Sequence, residues 1–98
     1  MGDLNEIIHQ PVRMRAMSAL VALERGEQMD FSSLAKMLEV TDGNLGAHLA
    51  KLEEAGYLKV EKTFVSRKPR TYLSATNKGR LAFEEHVCAL KALLNHSR

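Results

Sequence analysis

The sequence predicts an α+β fold, mainly helical with one small β-hairpin, and three observations lead there. Apolar residues recur at helical spacing over most of the 98-residue chain. Between 57 and 75 the period drops to two, the signature of strands. Pro11, Gly26, Gly56 and Pro69 punctuate the segments where helices or strands should start or stop. The length suffices for one small domain over 1–98. With 45% hydrophobic and 27% charged residues, the composition is that of a globular chain rather than a disordered one.

Leu4, Ile7 and Ile8 suggest a short helix over 3–9, followed by a second over 11–25 built on Val12, Met17, Leu20, Val21 and Leu23. Pro11 suits the first position of that second helix, where its missing N–H costs nothing. Residues 28–29 read as a very short strand. Asp30 or Ser32 then caps a helix through Leu38, with Phe31, Leu34, Ala35 and Leu38 on one face. Thr41 or Asp42 caps a helix running to about Ala55, whose inward face is Leu45, Leu49 and Leu52. Gly56 suits a left-handed terminus. Residues 57–65 and 70–75 read as strands about a Ser66-Arg67-Lys68-Pro69 turn. Thr76 caps a last helix over 77–95, apolar at Leu81, Phe83, Val87, Leu90, Leu93 and Leu94. That apolar arc is wider than the ~100° needed to face one core. The Met14, Met17, Met29 and Met37 set reads as core.

Charge is unevenly spread. The net charge is +2, yet residues 1–58 carry nine acidic and five basic side chains, and 59–80 carry seven basic ones against Glu61. A basic hairpin suits a polyanion, although a solvated lysine-rich hairpin accounts for charge alone. Two short helices, 31–38 and 42–55, separated by three residues, preceded by a long helix and followed by a basic hairpin, make the arrangement of a winged helix-turn-helix. The second short helix is held by its leucines. Its free face, with Asn44, Ala47, His48 and Lys51, is narrow enough for a major groove about 12 Å wide. The hairpin sets Arg67, Lys68 and Arg70 beside it, where backbone or minor groove would lie.

The run from His9 to Met17, with His9-x-Pro11-x-Arg13, resembles the opening helix of ArsR-type regulators. The run from Thr41 to Tyr57 resembles the recognition helix of small winged-helix regulators related to MarR and ArsR. Residues 62–76 are similar to their wing, and Thr76-x-x-Gly79-Arg80 to the start of their final helix. The resemblance implies a homodimeric transcriptional regulator that binds double-stranded DNA through Thr41, Asn44, Ala47, His48, Lys51, Arg67, Lys68 and Arg70. Three positions depart from the family pattern: Glu39 where a helix-ending glycine is common, Gly46 where serine often meets phosphate, and Ala50 where a basic residue is frequent. The wide apolar arc of the last helix places a dimer interface at Phe83, Val87, Leu90 and Leu94, joined by Leu4, Ile7 and Ile8.

Other classes find less support. There is no glycine-rich phosphate loop, no nucleophile–histidine pair in a recognisable motif and no paired carboxylates in one cleft, so catalysis and cofactors are not expected. Cys88 and His86, two apart on a helix, point to different sides and do not make a metal site. Cys88 reads instead as a small buried residue. A metal- or thiol-responsive regulator using Cys88, and a winged helix that binds protein instead of DNA, are the alternatives. Any effector would sit at the dimer interface; its identity is not encoded in a motif. A single cysteine excludes an internal disulfide, no apolar run nears the ~20 residues of a membrane span, and 1–10 lacks the basic and apolar regions of a signal peptide. Met1-Gly2 opens like an acylation site, but Glu6 stands where Ser or Thr is required. The expected address is the cytoplasm, with no membrane partner.

Overall fold

Local sequence signals set most element boundaries in the structure, a computed structural model that describes residues 3–96. The Met1-Gly2 comparison therefore falls outside the described residues. Helix α1 spans Pro11–Val21, with Pro11 in its first turn and the Gln10 side chain accepting from the Arg13 N–H. Strand β1 is Met29–Asp30, and helix α2 is Phe31–Leu38, capped by the Asp30 carboxylate at the Ser33 N–H. Helix α3 is Asp42–Glu54, capped by Thr41. Strands β2, Leu58–Val65, and β3, Lys68–Ala75, precede helix α4, Asn77–His96. The antiparallel sheet has the order β1-β3-β2, with Met29 opposite Leu73 and Leu58 opposite Ala75. This is a winged helix.

One core ties the elements together. Met17 and Leu20 of α1, Leu34 and Leu38 of α2, Leu45, Leu49 and Leu52 of α3, and Leu58 and Leu73 of the sheet are buried against each other. These are the inward faces that helical and strand periodicity select.

Several expectations are corrected. Residues 3–9 form a hydrogen-bonded turn and not a helix: the Asn5 side chain accepts from the Ile7 and Ile8 N–H groups, both at 3.0 Å. The segment is too short to propagate a helix, and Pro11 disfavours helical backbone just before it. Helix α1 ends at Val21 and not near 25, because Arg80 donates to the Val21 and Leu23 carbonyls at 3.0 and 3.2 Å and closes the terminus. The wing turn is two residues, Ser66-Arg67, both at positive φ (52° and 69°), so β3 begins at Lys68 and includes Pro69. Strand β1 reaches only Tyr72 and Leu73, so on the far side of Pro69 no strand demands its missing N–H.

Faces of the long helix also differ from expectation. Ile8, placed on a dimer surface by the sequence, is fully buried in the chain's own core and has no surface to give a partner. Cys88 is exposed, not buried, and Met37 is 53% exposed rather than core. On α4, Gly79, His86 and Ala89 are the buried residues. Leu4, Phe83, Val87 and Leu90 are half-buried, while Ile7, Leu81, Leu93 and Leu94 are exposed. No helix among the described residues is long and apolar enough to cross a membrane.

Candidate nucleic-acid interface

The exposed face of α3 begins at its cap. Thr41 Oγ1 accepts from the Asn44 N–H at 3.1 Å and so caps the helix, while the exposed hydroxyl keeps its own proton to donate. Leu45, Leu49 and Leu52 anchor the opposite side. Asn44, Ala47 and Lys51 are exposed, and Ala47 is small enough to let a partner surface approach the helix closely. Asp42 in the first turn suits the helix dipole.

His48 shares this side of α3 with Asn44 but is less exposed than these three. It is half-buried at the edge of α3 that faces α1, and its Nδ1 lies 3.2 Å from Arg13 Nη1. Burial, reinforced by the Arg13 charge, pushes the imidazole pKa below its ordinary value. Arg13 also donates through Nε to the Ile7 carbonyl, tying the N-terminal turn to the same joint. Sequence reasoning missed Arg13 as a neighbour of this face. The His9-x-Pro11-x-Arg13 motif was the available signal, but a contact 35 residues away leaves no local trace.

The other edge of α3 faces the wing. Gly46 and Ala50 line a groove of about 260 Å³ against Val60, Lys62 and Thr71. Two of the departures from the family pattern thus fall at one place, where small side chains keep the groove open.

Every residue of 61–70 is exposed. Arg67 occupies the tip, and Lys68 follows it opposite Val65. Lys62 stands opposite Thr71 on the same ribbon. Arg70 lies lower, 4.0 Å from the Asp30 carboxylate that caps α2. That carboxyl is held below the usual range, first by the Ser33 hydroxyl and more weakly by Arg70. Between the base of the wing and the N-terminus of α2 lies a polar groove of about 450 Å³ lined by Ser32, Ser33, Lys36 and Arg70. The wing and α3 are thus adjacent, one basic and one polar. Among the described residues no group of three or more His, Cys, Asp or Glu side chains is arranged to hold a metal ion.

Comparison with known proteins agrees with this geometry. The family model described as a winged helix DNA-binding domain matches residues 12–94. An uncharacterized protein of Methanocaldococcus jannaschii is 38% identical over 82 residues, covering 84% of this chain and 86% of its own. A transcriptional regulator homologue from Pyrococcus horikoshii superposes with a TM-score of 0.83 at 32% identity, over 94% of this chain and 88% of that one. FabT of Streptococcus pneumoniae, solved in complex with DNA, superposes with a TM-score of 0.59 at 26% identity, over 85% of this chain and 57% of that one. The chain belongs to the winged helix DNA-binding domain family, and is a DNA-binding module and not an enzyme.

Proposed function

We propose that this protein is a transcriptional regulator that reads a specific double-stranded DNA site as a homodimer in the cytoplasm. Helix α3 enters the major groove, and the wing meets backbone or minor groove. The observation that carries this reading is the juxtaposition of an exposed polar face, Asn44, Ala47 and Lys51, with a fully exposed basic ribbon bearing Lys62, Arg67 and Lys68. Base edges need short polar side chains on a narrow helix, and phosphates need cations at reach. FabT, which shares the fold, is a DNA-bound example.

The dimer reading rests on α4 and the N-terminal turn. Leu94 is 64% exposed and Ile7 38%, and Phe83, Val87 and Leu90 are half-buried, so apolar surface on this side of α4 is left outside the chain's own core. Two copies related by a two-fold axis would cover it and set two recognition helices on one face of a duplex.

Selection of bound sequences from random duplex, followed by gel shift on the winner and on a scrambled duplex, tests the reading. One enriched motif with two related half-sites, about one helical turn apart or a multiple of it, is expected. Sedimentation at micromolar concentration should give about twice 11.0 kDa. No DNA affinity at low salt would favour a winged helix used for protein binding, and a folded monomer at high concentration would remove the dimer.

A further inference from the structure

We propose that Arg13 is a positioning residue that presents His48 to DNA as a fixed Nε2–H donor, so that His48 reads the acceptor edge of a purine instead of contacting a phosphate. This rests on the reading that α3 enters the major groove.

The geometry allows one proton arrangement. An arginine guanidinium has donors and no acceptor, and it does not deprotonate in proteins. Arg13 Nη1 stands 3.2 Å from His48 Nδ1, so Nδ1 is the acceptor. A neutral imidazole that accepts on one nitrogen carries its proton on the other. The donor is therefore Nε2–H. The guanidinium is itself held at a second point, through Nε to the Ile7 carbonyl. The ring is thus oriented from α1 and the N-terminal turn, and not only by its own helix.

The chemistry of the contact follows. The charge acting on the ring is Arg13, from α1. Burial first, and the Arg13 charge second, disfavour a charged imidazole. A neutral donor that met a phosphate would release no counterion, whereas a donor of fixed direction on the groove-facing helix can be matched to one base edge. In the major groove it is matched by purine N7, or by O6 of guanine. Asn44 lies four residues before His48, on the same side of the helix, so the two side chains can address adjacent bases.

Nitrogen-15 NMR of the histidine rings in the free protein tests the positioning without DNA. Wild type should show His48 as the neutral Nε2–H form at pH 7.5, and its titration should lie below the ordinary imidazole value. Arg13→Met keeps an apolar stem and removes the donor. It should give mixed tautomers and a His48 titration moved up toward the ordinary imidazole value. A second arm uses the selected duplex with 7-deazapurine placed at one position at a time. Wild type should lose about tenfold at one purine per half-site, and His48→Ala should lose nothing further there. Arg13→Met should blunt that discrimination while its salt slope stays that of wild type.

Because Arg13→Met also frees the Ile7 carbonyl, its fold is checked by circular dichroism, and the wild-type tautomer stands as an independent measurement. A His48 proton on Nδ1 in wild type, or full 7-deazapurine discrimination by folded Arg13→Met, overturns the proposal alone. So does a wild type insensitive to every 7-deazapurine while Asn44→Ala still relaxes the motif. If both His48→Ala and Asn44→Ala bind as wild type, the recognition-helix reading falls, and this proposal with it.

Discussion

A Cβ placed on Gly79 would stand 1.9 Å from the carbonyl oxygen of Tyr57. The first turn of α4 therefore lies directly on the backbone that joins α3 to the wing. Thr76 locks the same joint: its N–H donates to the Tyr57 carbonyl at 3.1 Å, and its hydroxyl donates to the Gly56 carbonyl and accepts from the Gly79 N–H. The angle between recognition helix, wing and α4 is set at this point. Gly79→Ala must push backbone from backbone. It should destabilise the fold by about 3 kcal/mol or more, at the upper end of overpacking costs. Urea denaturation measures it; a loss under 1 kcal/mol would mean that the contact relaxes freely.

Glu39 ends α2 at φ 55°, a left-handed conformation. A residue with a Cβ is penalised there by about 1–2 kcal/mol, and glycine gives back about 0.5–1 kcal/mol in chain entropy. Arg15 donates to the adjacent Leu38 carbonyl at 3.2 Å, so the terminus stays closed whichever residue stands at 39. Glu39→Gly should therefore stabilise the protein by about 0.5–1 kcal/mol. A thermal melt of the variant below that of wild type would contradict this.

The wing turn carries the same strain twice. Two-residue hairpin turns with both residues at positive φ favour Asn-Gly, yet here the pair is Ser66-Arg67. Replacing it with Ser66→Asn and Arg67→Gly together should stabilise the chain by about 1 kcal/mol, or roughly 4–8 °C in Tm. The same double variant should bind DNA more weakly, because the tip cation is gone. Stability and affinity moving together would show that the tip is kept for folding and not for binding.

How much of this was legible in the sequence divides by range. Pro11, Asp30 and Thr41 announce their helix starts because caps act within three residues. The leucines of α3 announce its inward face by spacing. The turn at Ser66-Arg67 was misread because neither residue advertises positive φ, and Pro69 drew the turn toward itself. Met37 and Cys88 were misplaced because periodicity does not show which neighbours stop short of a helix face. The Arg13–His48 joint, the Arg80 closure of α1 and the Asn5–His86 bond span 35 to 81 residues, and long-range pairs of this kind leave no local pattern.

His86 makes stability depend on pH. The residue is 1% exposed, its Nδ1 accepts from the Asn5 N–H at 3.0 Å, and its Nε2 has no hydrogen-bond partner among the described residues. Burial, with the nearby His9 ring adding to it, holds its pKa below the ordinary value near 6.5. Above that value both folded and unfolded chains leave the ring neutral, and stability is unaffected. As pH falls below about 6.5 the unfolded chain takes up a proton that the folded one refuses, so stability drops by up to about 1.4 kcal/mol per pH unit until the folded pKa is reached. His48 shifts in the same direction and leaves a residual slope. Urea midpoints at pH 7.5 and 5.5 should differ less in His86→Leu than in wild type; equal slopes would remove His86 from the acid response.

The most direct test of the DNA-reading account is one set of binding titrations at several salt concentrations. Wild type, Asn44→Ala and Arg67→Ala are each measured on the selected duplex and on a scrambled one. Asn44→Ala should lose roughly 1–3 kcal/mol on the selected duplex and little on the scrambled one. Arg67→Ala should weaken both by similar factors and lower the salt slope by about 1 for each wing engaged. Affinity and slope unchanged in both variants would contradict the account, since neither α3 nor the wing would then touch DNA.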